Sequence, residues 1–223
     1  MVELTHAGEG AAGQFPRYWL YRTRINMHYN REVVAKVVTP PTHKPSRYDC
    51  GFGFPSPLQD EPYGVPLALT LCINPKHKHP DNYLVDRAFQ LFSERLIELM
   101  RQYEVKFESF PATLVDAAGN PQDRLRYHVF HSLEGEQDAM DHERSGWRGA
   151  WELGVPRLVL DYSKFEHRPL FTCALIHTPL MRDDLKQAIR CAGLTGFEFL
   201  APYKFQSGLG QFSTPRFPPP YDD

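Results

Sequence analysis

The pattern of apolar and polar positions predicts strands in the N-terminal third of the chain. Residues 15–21 and 33–38 are rich in aromatic and β-branched side chains, which suit a pleated, half-buried surface. Residues 67–74 form an apolar run that Pro75 ends. Between them, residues 39–66 are dominated by Pro, Gly and Asp, a composition typical of a long loop that is functional or partly disordered.

The central part of the chain predicts a helix followed by a hairpin. Residues 81–103 place apolar side chains three and four positions apart, which is the spacing of one helix face, and Asp81 and Asn82 are N-cap candidates. Residues 106–115 and 124–130 alternate in polarity on either side of a turn sequence. We therefore expect them to pair as antiparallel strands.

The C-terminal third predicts similar elements in shorter form. A second helix over about 180–192 has Pro179 suited to its first turn, two aspartates at its positive end and Gly193 to stop it. Strand-like segments surround this helix at residues 157–160, 170–177 and 197–200.

Together these elements predict an α+β fold with a mixed, largely antiparallel sheet and two main helices. We expect a single domain over 15–212, with candidate lobes at 15–133 and 155–205. A flexible tail at 1–14 and a Pro-rich tail at 213–223 flank this domain.

Two strand–helix–strand stretches have a similar order. Residues 71–75 lead into the first helix and then Phe107-Glu108, while residues 175–179 lead into the second helix and then Phe197-Glu198. Two interpretations stand side by side: the chain contains two related halves, or two ordinary units share a few residues by chance. Related halves would form a groove between them, which is a natural binding surface.

Composition narrows the class of partner. Among 223 residues, 25 Lys and Arg face 27 Asp and Glu, for a formal net charge of −2. The basic field that phosphate binding needs is missing, so nucleic acid is not an expected partner. No stretch approaches the roughly 20 apolar residues of a membrane helix, and no secretion signal precedes the first strand. We expect a soluble, cytoplasmic protein without a membrane partner, and the oligomeric state is not predicted.

Sequence motifs for cofactors and nucleophiles are missing. Cys50, Cys72, Cys173 and Cys191 are widely spaced without a Cys-x-x-Cys pair, which predicts neither a zinc knuckle nor a disulfide framework. No Gly-x-Ser-x-Gly elbow or P-loop is present. We predict no cofactor and no catalytic residue.

Two polar clusters remain as candidates for an enzyme. His77 and His79 could face one way in an extended loop and hold a metal, but no third ligand has a suitable spacing. Asp138 and Asp141, with His142 beside them, are suited to acid–base chemistry or a divalent ion. The more ordinary interpretations are a solvated basic turn and a protein-binding face, so we predict neither a metal site nor catalysis.

Residues 134–143, which we call the acidic segment, and the residues after them form the predicted partner surface. Its five carboxylates give a local negative field that speeds encounter with a basic partner, and tryptophan and arginine are typical interface anchors. The predicted contact residues are Glu134, Glu136, Asp138, Asp141, Glu143, Trp147, Arg148 and Trp151. The alternative is that Asp141 and Trp151 are internal and hold the two halves together.

The C-terminal third resembles a known family. Residues 158–161, 169–171 and 184–189, and above all residues 192–199 with the sequence Ala-Gly-Leu-Thr-Gly-Phe-Glu-Phe, resemble the closing module of the immunity-protein-eleven family of bacterial polymorphic toxin and type VI secretion systems. Residues 138–141 and Ser145 are similar to the family's middle segment. The resemblance covers roughly residues 80–202. It does not extend to the first eighty residues, and Phe171 lacks the arginine that usually follows it.

The resemblance implies an immunity protein that binds and neutralises a cognate, cytosol-acting protein toxin in competition between bacteria. It implies no catalytic residues, and it does not identify the toxin. The alternatives are a small metal-dependent or acid–base enzyme using His77 and His79 or Asp138 and Asp141, and an adaptor whose partner is not a toxin.

Elemental analysis of the untagged, purified protein tests the metal prediction. We expect no stoichiometric zinc or iron, because no third ligand accompanies His77 and His79. One equivalent of either metal per chain would contradict the prediction.

Overall fold

The computed structural model describes residues 17–23, 35–37, 62, 69–74, 78–85, 89–136, 138–147, 155, 157–165, 167–173, 176 and 178–205. The predicted tails at 1–14 and 213–223, and the predicted loop at 39–66 except residue 62, lie outside these ranges.

The described residues form an α+β fold, as predicted. The strands are β1 Tyr18–Thr23, β2 Ala35–Val37, β3 Leu69–Ile73, β4 Asn82–Val85, β5 Phe89–Ser93, β6 Phe107–Val115, β7 Tyr127–Ser132, β8 Gly135–Glu136, β9 Leu170–Cys173, β10 Thr178–Arg182 and β11 Phe197–Leu200. The helices are α1 Glu94–Gln102, the single turn α2 His142–Ser145 and α3 Asp183–Cys191. Two 3-10 turns, Tyr162–Lys164 and Pro202–Lys204, complete the described elements.

The strands lie in two sheets, whereas the sequence predicted one. The first sheet has the order β11-β1-β10-β9-β8, and the second has the order β2-β3-β6-β7-β5-β4. Neighbouring strands are antiparallel except for two parallel pairs, β3 with β6 and β8 with β9. Each sheet is therefore mixed and largely antiparallel, as expected.

The first predicted helix is wrong over its first half. Residues 82–93 contain the antiparallel hairpin of β4 and β5, and α1 begins only at Glu94. Leu91 and Phe92 are both fully buried but belong to different core clusters, because β5 is covered on both faces. A strand with two apolar faces does not alternate in polarity, so its residues fit the helical spacing as well.

Ser93 sets the start of α1. Its hydroxyl accepts a hydrogen bond from the amide of Leu96 at 3.3 Å, which satisfies one of the unpaired donors of the first turn. Asp81, predicted to cap the helix, instead binds Ser93: its carboxylate accepts from the Ser93 hydroxyl at 2.7 Å, and its carbonyl accepts from the Ser93 amide at 2.8 Å.

The second predicted helix begins later than expected but ends as predicted. Pro179 lies in β10 opposite Thr172 of β9, so it does not belong to a helical turn. Asp183 and Asp184 occupy the first turn of α3. Gly193 follows the helix with a φ of +63°, the left-handed conformation that commonly ends a helix.

Two units of the chain repeat one arrangement of strands around a helix. Unit one consists of β4, β5, α1, β6 and β7, with the sheet order β6-β7-β5-β4; unit two consists of β9, β10, α3, β11 and β1, with the order β11-β1-β10-β9. In each unit the helix joins two parallel strands, and an antiparallel strand is inserted between them. Unit one takes its inserted strand β7 from the chain that follows, whereas unit two takes β1 from the N-terminal part.

The inserted strands also match in register. Tyr127 of β7 lies opposite Ser93, and Tyr18 of β1 lies opposite Arg182, so each tyrosine faces the last residue before its helix. Both tyrosine hydroxyls donate to a backbone carbonyl at 2.8 Å, Tyr127 to Pro80 and Tyr18 to Arg168. The two units therefore agree beyond strand order.

The predicted similarity of the two strand–helix–strand stretches is correct in part. Phe107 and Phe197 open the equivalent strands β6 and β11, opposite Ser132 of β7 and Thr23 of β1. Residues 71–73 of β3, however, do not lead directly into the helix of unit one, because β4 and β5 come between them. The candidate lobe 15–133 also divides unit two, since β1 pairs with β10 and β11.

One apolar cluster contains residues from both units and both main helices. Its buried members are Tyr21, Phe92, Leu96, Ile97, Met100, Val105, Phe130, Leu170, Met181, Leu185, Ile189 and Leu194. Burial of this shared surface stabilises the two units as one body, at roughly 25 cal/mol for each Å² of apolar area removed from water.

A polar joint connects the units at the start of β4. The Asn82 amide donates to the carbonyl of Thr195 at 3.1 Å, the Asn82 side chain donates to the carbonyl of Gly196 at 3.1 Å, and the Thr195 amide donates to the Asp81 carboxylate at 2.9 Å. Gly196 has a φ of +94°, and a Cβ atom there would lie 2.0 Å from the Asn82 carbonyl oxygen. Glycine is therefore required at this contact.

Gly196→Ala tests the joint, with Gly193→Ala as its control. Both glycines have positive φ, but a Cβ on Gly193 meets nothing within 4 Å. We expect Gly193→Ala to lower the free energy of unfolding by about 1 kcal/mol, and Gly196→Ala to lower it by about 3 kcal/mol or more because backbone must move. Denaturant unfolding measures both, and equal losses would contradict the close approach.

Candidate functional site

The predicted partner surface lies on a segment that covers one face of unit two. We call residues 138–147, 155 and 157–165 the cover segment. Its buried residues Ala139, Met140, Val155, Leu158, Leu160 and Phe165 join Tyr18, Leu20, Phe171 and Leu180 of unit two in one core cluster. The inner side of the cover segment is thus part of the core.

Hydrogen bonds fasten residues 139–145 of the cover segment to residues 159–161. The Asp141 amide donates to the Val159 carbonyl at 2.9 Å, and the Asp161 amide donates to the Ala139 carbonyl at 3.0 Å. The buried Ser145 hydroxyl accepts from the Val159 amide at 2.9 Å and donates to the Val159 carbonyl at 3.2 Å. The predicted strand at 157–160 contributes only the single bridge between Leu160 and Met140.

Glu134 and Glu136 precede the cover segment and are paired with basic side chains. Glu134 Oε1 lies 3.2 Å from Lys106 Nζ, and the Glu134 side chain is only 10% exposed. Glu136 Oε2 lies 3.3 Å from Arg168 Nη1. Glu134 therefore offers little surface to a partner.

Asp138 is bound by three groups of the cover segment. One carboxylate oxygen accepts from the Met140 amide at 3.0 Å, and the other lies 2.7 Å from His142 Nε2 and 3.4 Å from Lys164 Nζ. These contacts hold the turn before α2 to the 3-10 turn at Tyr162–Lys164.

Asp141 has a local structural role, whereas Glu143 points outward. The Asp141 carboxylate accepts from the Arg144 amide at 3.0 Å and so caps α2. Glu143 and Arg144 are exposed residues of opposite charge on the same turn. Asp141 is therefore internal to the cover segment, although it does not join the two units.

Trp147 follows α2 and is half-buried. It packs against the core cluster of unit two, and its ring centroid lies 6.3 Å from that of His142 in an edge-on arrangement. Arg148 and Trp151, the other predicted anchors, lie outside the described residues.

The negative field expected for this segment is weaker than its carboxylates suggest. Glu134, Glu136 and Asp138 each have a cationic side chain within 4 Å, and Asp141 accepts from a backbone amide. Opposite charges at such distances cancel beyond about one Debye length, roughly 8 Å in physiological salt. Three of the five carboxylates are therefore paired with cations of the chain, whereas Asp141 keeps its charge.

The candidate metal and acid–base residues are only partly described. His79 Nε2 lies 2.9 Å from the Asn74 carbonyl oxygen, and His77 is outside the described residues. Within the described ranges, no three side chains of His, Cys, Asp or Glu come together as a metal site would require. Asp138 and His142 do form a close pair, while Asp141 is turned to its cap.

Sequence reasoning missed the matched carboxylates that anchor the two main helices. Glu94 Oε2, in the first residue of α1, lies 2.7 Å from His128 Nε2 of β7. Asp183, in the first residue of α3, accepts from the indole N–H of Trp19 in β1 at 2.7 Å. The hydrogen bond with His128 lowers the pKa of Glu94, against a smaller opposing effect of burial. Carboxylates at these positions are visible in the sequence. Their partners, the rings of His128 and Trp19, could not be predicted before the inserted strands were known.

Lys186 is a second residue that the sequence did not single out. It is 2% exposed, and its Nζ lies 3.1 Å from the centroid of the Trp19 ring and 3.6 Å from Asp183 Oδ1. The equivalent position in α1 is Ile97, which is fully buried. A carboxylate and an aromatic face thus offset the cost of burying this ammonium group.

Comparison with known proteins leaves the resemblance as a prediction, because no protein-family model and no curated protein matches this chain. Among the described residues, no helix is long and apolar enough to cross a membrane.

Asp141→Ala and Glu143→Ala test the two roles that α2 gives its acidic residues. Loss of the Asp141 cap should lower the free energy of unfolding by about 1 kcal/mol, whereas the exposed Glu143 should change it by less than about 0.5 kcal/mol. Thermal or denaturant unfolding measures the difference. An Asp141 variant as stable as the Glu143 variant would remove the capping role.

Proposed function

We propose that this protein binds and neutralises a cognate protein toxin that acts in the cytosol, and that it works in that compartment without catalysing a reaction. The observation that carries the proposal concerns the outer side of the cover segment, which faces away from the core cluster of unit two. There, the half-buried Trp147 lies edge-on to His142, and the α2 residues His142, Glu143 and Arg144 are exposed. An aromatic anchor inside a polar rim is the usual arrangement of a protein-binding hot spot.

The resemblance supplies the class of partner, and the fold gives a physical reason for its residues. The Leu-Thr-Gly-Phe sequence that carries the resemblance is the polar joint between the units, where Gly196 meets Asn82. Asp161, another residue of the resemblance, caps the 3-10 turn of the cover segment through Ser163. These residues therefore have structural roles in this chain, and the proposed partner surface lies on the fold that they stabilise.

A preorganised scaffold also favours inhibition by binding. The cover segment is fixed by the buried hydrogen bonds of Ser145 and by that of Asp138, so little conformational entropy is lost when a partner covers its exposed side. This lowers the cost of association without the need for a larger interface.

The second candidate is acid–base catalysis at Asp138 and His142. The 2.7 Å contact between their side chains is the specific observation in its favour, because such a pair can relay a proton. Lys164 and the Met140 amide also bind Asp138, which equally fits a structural role. An adaptor with a non-toxic partner is a third outcome, which the following experiment distinguishes.

Co-purification and growth rescue test the proposed function. The tagged full chain should capture the product of a neighbouring gene, and expression of that product alone should stop growth of the host. Co-expression of the chain should restore growth. Capture of a product that is harmless when expressed would favour an adaptor and contradict neutralisation.

Asp138→Asn with His142→Gln is the matched control for the enzyme alternative. These changes remove the acid–base pair but retain polar side chains of similar size. Because Asp138 and His142 also belong to the proposed partner surface, we expect a folded variant to lose rescue only as far as it loses binding to the toxin. Loss of rescue with retained binding to the toxin would instead favour catalysis.

A further inference from the structure

Strand β1 holds together the strands and the helix of unit two. Its two edges pair with β10 and β11, and the carbonyl of Arg17, the residue before it, accepts from the amide of Asp183 at 2.8 Å. The indole of Trp19 donates to the Asp183 carboxylate, and its ring centroid lies 3.1 Å from Lys186 Nζ. Both of these residues belong to α3, so β1 fixes the helix as well as the neighbouring strands.

The opposite face of β1 supports the cover segment. The Tyr18 hydroxyl lies 3.1 Å from the Phe165 carbonyl oxygen, and the rings of Tyr18 and Phe165 meet edge-on with their centroids 4.9 Å apart. The Tyr18 ring also lies 6.0 Å from that of Tyr162. Leu20 is fully buried in the core cluster that contains Met140 and Phe165. The inner side of the cover segment would therefore lose its support if β1 left the sheet.

The core clusters divide along the same boundary. The described buried members of the cluster beneath the cover segment come from β1, β9, β10, β11, the cover segment and residues 176 and 205. Those of the outer cluster of unit one come from β3, β4, β5, β6 and β7. The third cluster is shared, and β1 contributes Tyr21 to it. Departure of β1 thus removes packing from unit two and the cover segment but leaves the outer cluster of unit one intact.

The order of the strands along the chain also separates the units. Strands β4, β5, β6 and β7 pair with one another within residues 82–132, whereas β1 pairs with strands more than 150 residues away. Closing the longer loop costs more conformational entropy. Native proteins open first in the cooperative parts that have the lowest local stability. We therefore expect β1 to open before the strands of unit one.

We propose that β1 is a latch for the cover segment: when β1 leaves the sheet, unit two and the cover segment open together, while unit one stays folded. This control of the cover segment goes beyond the proposed function and does not depend on whether the partner is a toxin. A ligand that binds only the closed cover segment stabilises the closed state, and through it keeps β1 in place.

Hydrogen exchange of the full chain alone, under native conditions, tests the latch. In the unaltered chain, the backbone amides of β1, β10 and the cover segment should exchange faster than those of β5 and β7, because the partial opening is enough to expose them. Leu91→Ala is the deciding variant, and Leu20→Ala is its matched control. Both leucines are fully buried strand residues, Leu91 in the outer cluster of unit one and Leu20 beneath the cover segment.

The two variants should affect different amides. Leu91 stays packed during the partial opening, so Leu91→Ala should speed exchange in β5 and β7 by about 30-fold or more and change exchange in β1 and the cover segment by less than about threefold. Leu20 is lost from the core in both the partial and the global opening. Leu20→Ala should therefore speed exchange in both units by similar factors.

Equal exchange protection of the two units in the unaltered chain would show a single cooperative unit and overturn the latch. Leu91→Ala speeding exchange equally in β1 and β5 would do the same. If Leu91→Ala does not fold, the denaturant dependence of exchange in the unaltered chain decides, because its slope scales with the surface exposed. The slope should be smaller for amides of β1 than for those of β5, and equal slopes would contradict the proposal.

Discussion

The fold depends on the inserted antiparallel strand in each unit. In each unit the helix joins two parallel strands that are not neighbours in the sheet, so the backbone groups that face the gap between them need hydrogen-bond partners. In unit one, β7 fills the gap directly after β6. In unit two, β1 fills the gap between β10 and β11, which lie more than 150 residues later in the chain. The N-terminal strand therefore connects distant parts of the sequence, and unit two is incomplete without it.

This dependence explains which parts of the fold could be predicted from sequence. The β6–β7 hairpin and the end of α3 at Gly193 are set by local turn chemistry, and both were predicted correctly. The β4–β5 hairpin was missed because Leu91 and Phe92 are buried on opposite faces, a consequence of tertiary packing that no local pattern records. The pairing of β1 with β10 and β11 was not predictable either, since no sequence signal near residues 17–23 specifies a partner so far along the chain.

The candidate site, like the fold, could be predicted from the sequence only in part. The residue types of the acidic segment were plain from the sequence, and Trp147 was identified as a candidate anchor. The partners of the carboxylates were not predictable, because Lys106, Lys164 and Arg168 come from separate elements that folding brings together. A count of acidic residues measures charge along the chain, whereas the field that reaches a partner depends on the cations nearby in space.

The two units share the arrangement of strands and helix but differ in the side chains at the start of the helix. Both units place a carboxylate at the helix start and bind it to a ring nitrogen of the inserted strand, with His128 in one and Trp19 in the other. Beneath that contact, unit one has the apolar Ile97 and unit two has the buried ammonium of Lys186. Because an unpaired buried charge is costly, Lys186 requires both Asp183 and the Trp19 ring, while Ile97 requires neither Glu94 nor His128. The shared geometry is thus fixed by the backbone arrangement, and the side-chain chemistry built on it differs between the units.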